Sequence, residues 1–200
     1  MKRIALLLSG LLWWGANGVS AQNLLLNPGF ESGSGTSATS WTKWAGANRE
    51  PWANHSGNYG MALEWWVSSN GGFYQDVPGT YVPGDLYELS AWYLDDAATV
   101  GTSVYLSKIE WFNASNVMIG SQVVNVSPLV NNTWKQLSMI GTVPTGTAYA
   151  RVVFEGQNMV SGETLKIDDV SFSLVPEPSS LALTGLALAL AGLMRLRRRS

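Results

Sequence analysis

The chain contains one histidine, His55, and no cysteine among its 200 residues. That composition excludes a cysteine nucleophile, a disulfide framework, cysteine-based zinc sites and any metal centre needing two histidines. A Ser-His-Asp relay would have to run through His55, which lies in Asn54-His55-Ser56-Gly57 and reads as a polar loop residue. Carboxylates are the remaining acid–base groups. Glycoside cleavage uses two of them roughly 5 to 9.5 Å apart. Glu64, Glu110 and Glu155 lie within strand-like runs and are the candidates for such a pair. No motif singles out two of them, and carboxylates on strand faces are usually solvated, so the expectation is a chain that is not an enzyme.

Aromatic residues are the second chemical resource. Of ten tryptophans, Trp13 and Trp14 belong to the leading apolar run, which leaves Trp41, Trp44, Trp52, Trp65, Trp66, Trp92, Trp111 and Trp134. A flat ring with neighbouring amide and carboxylate groups suits the apolar C–H face of a sugar. Any one large apolar residue is more often core than ligand contact. Trp41, Trp44 and Trp52 fall in a Gly-, Ser- and Asn-rich stretch. Trp65 and Trp66 are consecutive on an expected strand, so one must face away from the other. The candidate platform is Trp41, Trp44, Trp52, one of Trp65 and Trp66, and Tyr74.

These side chains need a scaffold. Between residues 22 and 174 no stretch holds a 3.6-residue apolar period for three turns. Short β-rich runs recur instead, punctuated by Gly, Pro, Asn and Asp. They cover residues 24–26, 61–67, 73–77, 86–94, 104–112, 118–126, 134–140, 148–155 and 165–174. Alternation sets Ala150, Val152 and Phe154 against Arg151 and Glu155, and Val170, Phe172 and Leu174 against Ser171 and Ser173. The same alternation puts Asp168 on the inward face. Residues 32–60 read as long loops with one short strand. About nine strands, each with one buried face, predict an all-β, two-sheet sandwich.

Charge divides the chain into three parts. Lys2, Arg3, Arg195, Arg197, Arg198 and Arg199 account for half of the twelve basic residues. Residues 22–178 keep six basic against fourteen acidic residues, a net charge of −8. Such a region lacks the basic face that nucleic-acid binding requires. The first segment has the form of a secretory signal peptide over residues 1–21: a basic start, an apolar run from Ile4 to Trp14, and small residues Val19-Ser20-Ala21. Cleavage after Ala21 would leave Gln22 at the mature start. At the other end, Val175-Pro176-Glu177-Pro178 precedes an apolar run from Leu181 to Met194 and an arginine cluster at 195–199. Fourteen residues span about 21 Å as a helix, short for a hydrocarbon core of about 30 Å. The arginines favour a cytoplasmic end and place residues 22–178 outside.

The tail, residues 175–200, resembles the PEP-CTERM sorting signal of Gram-negative bacteria in all three parts. The resemblance implies a transmembrane helix over about 180–194, processing near Pro176, Glu177 and Pro178 by an exosortase, and brief anchoring in the inner membrane. Release or attachment at the outer surface would follow.

A second resemblance covers nearly all of residues 23–174. Asn23 to Glu31 (NLLLNPGFE), then Phe73-Tyr74-Gln75-Asp76-Val77, Gly84 to Trp92, Trp134-Lys135-Gln136-Leu137, Val143 to Ala148 and Ile167-Asp168-Asp169-Val170 are similar, in order, to carbohydrate-binding modules of families 4, 9 and 22. These belong to the galactose-binding-like jelly rolls. The resemblance implies a structural Ca²⁺ held by Glu31 and Asp168, with Asp169 adjacent, and core roles for Trp92 and Trp134. It favours an exported, non-catalytic module that binds carbohydrate or exopolysaccharide. A structural matrix protein without a sugar ligand, and less readily a polysaccharide hydrolase or lyase, stay open.

Overall fold

The computed structural model describes residues 21–96, 102–127 and 132–176. The expected signal peptide, apart from Ala21, and the tail beyond Pro176, including Glu177 and Pro178, lie outside the described residues. No helix among the described residues is long and apolar enough to cross a membrane.

Residues Gln22–Val175 form one compact unit. Its strands are β1 (Gly33–Ser34), β2 (Ser37–Ala38), β3 (Thr42–Trp44), β4 (Ala47–Glu50), β5 (Gly60–Glu64), β6 (Gly71–Pro78), β7 (Leu86–Asp95), β8 (Val104–Phe112), β9 (Met118–Asn125), β10 (Lys135–Thr142), β11 (Tyr149–Gln157) and β12 (Thr164–Leu174). One 3-10 turn, Pro51–Ala53, joins β4 to β5. Two five-stranded antiparallel sheets face each other, ordered β10-β7-β12-β5-β4 and β3-β6-β11-β8-β9, and β1 and β2 form a small ribbon. This is the expected all-β jelly-roll sandwich.

Alternation builds the core. Ala150, Val152 and Phe154 of β11 are fully buried, while Arg151 and Glu155 face out. Phe30, Trp41, Phe73 and Phe154 form one aromatic cluster between the sheets, with neighbouring centroids 5.0–6.2 Å apart. Tyr81, Tyr87, Trp111 and Phe172 form another. Trp41 therefore belongs to the core, not to a ligand platform. Its indole N–H also donates to the Asn27 carbonyl at 3.0 Å.

Three expectations need correction. Residues 32–60 hold four short strands instead of one, because two- to four-residue ladders are too brief to show a period. Residues 24–26 form no strand of their own. Leu24 lies beside β12, its N–H donating to the Phe172 carbonyl at 2.8 Å, while the Leu26 backbone is bonded by the Gln75 side chain of β6. Asp168 does not share the face of Val170 and Phe172. The register of β12 slips between Asp168 and Ser171, where Asp169 takes φ = 49°. One extra residue at such a bulge reverses every face beyond it. Asp168 therefore points to the outer side with Lys166, opposite Trp92.

Candidate functional site

The outer face of the β3-β6-β11-β8-β9 sheet gathers the groups suited to ligand contact. Phe73 and Val77 of β6 are buried, so Tyr74 and Asp76 point outward. The register places Asp76, Arg151, Glu110 and Ser121 in one row across four strands. Tyr74, Val153 and Lys108 form the next row, and Pro78, Tyr149 and Phe112 lie on the other side.

An aromatic strip crosses these rows. Trp44 and Tyr74 have centroids 6.3 Å apart. The Arg151 guanidinium lies 4.1 Å from the Tyr74 centroid and 4.9 Å from that of Phe112. Phe112 stacks on Tyr149 at 5.0 Å and 4°. The strip spans four strands, about 14 Å at roughly 4.8 Å per strand. Gly72 permits its first step. A Cβ there would lie 2.3 Å from the Trp44 ring, so the indole lies flat across β6 only because residue 72 has no side chain. At the Arg151–Phe112–Tyr149 end of the strip, a groove of about 670 Å³ opens between these residues, Asp76 and Asn116.

The charges on this face are mutually engaged. Asp76 takes Arg151 in a two-pronged bond, at 2.6 and 3.1 Å, which raises the guanidinium pKa still further. Lys108 pairs with Glu155. Burial alone would push Glu155 up, but its bonds from Lys108 and Gln157 prevail and hold it below the usual value. Glu110 is the exception. Burial pushes its carboxyl up, and nearby Lys108 and Arg151 offset this incompletely. Such a fixed ion-pair lattice presents hydroxyl partners in set directions.

Glu64, grouped with Glu110 and Glu155 from the sequence, lies in the other sheet. It is buried, accepts from Asn48 Nδ2 at 2.6 Å, and does not join the other two. Glu110 and Glu155 share a face but stand four residues out of register, with Lys108 between their rows.

The remaining aromatic candidates occupy the opposite side of the sandwich. Trp52 in the 3-10 turn and Trp66 after β5 are exposed, with centroids 6.0 Å apart. Trp65 is half-buried against the core. The one-in, one-out division of the Trp65–Trp66 pair holds, though on a turn, not a strand. Trp92 is not in the core between the sheets. It alternates with buried Ala91 and Tyr93 and faces out, where His55 stacks on it at 4.0 Å and 12°. Trp134 meets the same imidazole edge-on at 5.2 Å.

Residues 54–59 are braced by the carboxylates linked to calcium by resemblance. Asp168 accepts N–H bonds from His55 (2.8 Å), Ser56 (3.0 Å) and Asp169 (2.7 Å). It is fully buried, and that burial pushes its pKa up to about 6 despite the three bonds. Glu31 accepts from the backbones of Asn58 and Tyr59 at 2.8 and 3.1 Å. Burial would raise Glu31, but these bonds hold it below the usual value. Asp169 is committed to His55 Nδ1 and Ser56 Oγ, both at 2.7 Å. No group of three His, Cys, Asp or Glu among the described residues converges as a metal cluster. Asp168 Oδ1 and Glu31 Oε2 each take a single donor, the latter at 3.3 Å, and so each keeps a lone pair. Carboxylate oxygens of this kind are the ligand type calcium takes.

No family model matches the chain, and no curated protein does. Solved structures do. The enzymatically active domain of tailspike protein 4 of bacteriophage CBA120 matches with a TM-score of 0.57 and 19% identity, over 76% of this chain and 21% of that one. The chain thus spans about a fifth of that tailspike domain. A family 16 carbohydrate-binding module matches with a TM-score of 0.55 and 20% identity, over 75% of this chain and 99% of that one. A cyclase from Fischerella sp. TAU matches with a TM-score of 0.58 and 10% identity, over 80% and 100%. The fold is therefore one shared by carbohydrate-binding modules and by enzymes.

Proposed function

We propose that the chain is a carbohydrate-binding module whose ligand lies across the β3-β6-β11-β8-β9 face. The observation that carries this reading is the strip Trp44–Tyr74–Arg151–Phe112–Tyr149 with its flanking ion pairs. The rings offer apolar surface to sugar C–H faces, and Asp76, Glu110, Glu155 and Lys108 offer partners to hydroxyls. The likeness to a family 16 carbohydrate-binding module supports the same reading. Three carboxylates against two cations, both already paired, favour a neutral glycan over an acidic one.

The test is native affinity electrophoresis of the full chain through gels containing galactan, xylan, mixed-linkage glucan or galactomannan. The expected result is retardation on at least one neutral polymer, unchanged by salt and weakened about tenfold by Tyr74→Ala. Absence of retardation on every polymer would overturn the reading.

Export, exosortase processing and a final place at the cell surface or in the matrix complete the proposal. They rest on the basic-apolar-small start and on the Pro-Glu-Pro, apolar run and arginine order of the tail. Structural calcium at Glu31 and Asp168 is proposed on their remaining lone pairs. It would anchor residues 54–59 and take no part in ligand contact.

A further inference from the structure

Trp52 and Trp66 are 41% and 52% exposed, and something holds each in place. Ala53, next to Trp52, is fully buried. A Cβ on Gly60 would lie 2.1 Å from the Ala53 carbonyl, so the 3-10 turn sits directly on β5. Trp66 is held edge-on by Trp65 at 5.6 Å and 90°. Lys166 points outward from β12, with Nζ 5.4 Å from the Trp52 centroid and 2.9 Å from Asp96 Oδ1. The result is a small, preformed aromatic surface beside an ion pair.

Its size limits its occupant. Two indoles bury about 150–250 Å² each at most. A stable protein interface needs about 800 Å² per partner. The patch is too small for a folded partner or a second copy, and large enough for one or two sugar units. Its composition, ring faces next to a carboxylate and an ammonium, repeats that of the first strip. Lys166 and Tyr74 each alternate with core residues in different sheets, so the two surfaces face away from each other. Sheets packed about 10 Å apart lie between them.

We infer that Trp52, Trp66, Lys166 and Asp96 form a second, independent glycan subsite, and that the module bridges two polysaccharide segments. The bridging half of this inference rests on the glycan reading of the first strip; the second subsite stands by itself. Two weak subsites on one rigid body gain by avidity when a polymer offers many copies of the ligand.

The test uses the full chain and two double variants, Trp44→Ala/Tyr74→Ala and Trp52→Ala/Trp66→Ala, each checked for unchanged far-ultraviolet circular dichroism. Where an alanine variant fails that check, Trp66→Gln alone replaces the second pair. Affinity gels with the same four polymers measure binding, and turbidity with the retaining polymer measures cross-linking. Each variant is expected to be retarded about tenfold more weakly than the parent, and neither is expected to raise turbidity. Loss of all retardation in Trp44→Ala/Tyr74→Ala would overturn the second subsite and leave the first intact. Unchanged turbidity in Trp52→Ala/Trp66→Ala would overturn it as well. Unchanged retardation in Trp44→Ala/Tyr74→Ala would instead remove the first strip as a binding site. A dimer of the parent in sedimentation, lost in Trp52→Ala/Trp66→Ala, would assign the patch to self-association and overturn the inference.

Discussion

Arg49 lies on the core side of β4, 6% exposed. Its Nε donates to the Phe30 carbonyl at 2.6 Å and its Nη2 to the Glu31 carbonyl at 2.7 Å. The guanidinium rests 3.3 Å from the Tyr59 centroid. One cation thus ties the first loop to the segment before β5. Removing it orphans two carbonyls and a buried ring face. Arg49→Ala is expected to cost about 2–4 kcal/mol in the denaturant midpoint, and Arg49→Lys less, because an ammonium keeps the charge but not the fork. Gly72 makes a different prediction. In Gly72→Ala the new Cβ meets both the Trp44 ring at 2.3 Å and the Phe154 carbonyl at 2.4 Å. The indole is expected to lift from β6, and affinity-gel retardation to fall as far as it does in Trp44→Ala. Near-ultraviolet circular dichroism at a temperature where both variants are folded provides the control. From sequence, Trp44 and Tyr74 could be named as platform candidates because their ring chemistry is intrinsic to their type, and the structure brings the two rings together on one outer face. Asp76, Lys108 and Arg151 were not. Their role depends on the pairing of β6, β11 and β8, strands far apart in the chain.

At the level of elements, β11 and β12 show what periodicity can and cannot carry. The faces of β11 follow from alternation because its ladder is unbroken over nine residues on one side and eight on the other. In β12 the slip at Asp168 has no glycine to mark it; an aspartate at φ = 49° makes the turn instead. Asp168 consequently faces outward, where alternation put it inward; Trp92 faces outward by the alternation of β7 itself, although the resemblance gave it a core role. The short ladder of β4 on β5 has its own titration. Burial is the largest influence on Glu64 and pushes its pKa up; Asn48 and Lys43 pull the other way, and Glu50 adds to the rise. The folded state therefore prefers the protonated carboxyl. This contribution is complete below the unfolded value and is lost as pH rises through the folded one. Glu64→Gln is expected to flatten that loss. Its melting temperature should match the parent in acid and exceed it at neutral pH. A parallel pair of pH–melting curves would refute this.

On the scale of the whole molecule, composition foretold the class of fold. No cysteine, no helical period and regular turn residues leave a sandwich as the economical way to bury so many aromatics. What composition could not locate was the division of the tryptophans among core, first strip, second patch and the His55 stack. That division depends on which sheet each strand joins. The calcium proposed at Glu31 and Asp168 carries a prediction at this scale. In the full chain, millimolar Ca²⁺ is expected to raise the melting temperature by several degrees over the same protein in chelator. Superimposable melts would leave residues 54–59 braced without a metal, by their hydrogen bonds to Asp168, Asp169 and Glu31.

The bonding of Asn23 and Leu24 to the end of β12 also has a mechanical meaning. Phe172 is held by Leu24 and Asn23 on one side and by Leu89 of β7 on the other, and Val175 N–H still donates to Leu86 at 2.8 Å. Tension applied at residue 176 enters an internal strand gripped along both edges. Ladder bonds run across the strand axis, so a pull along β12 loads many of them together instead of opening them one at a time. A domain pulled from that end would therefore yield by shear, the stronger mode.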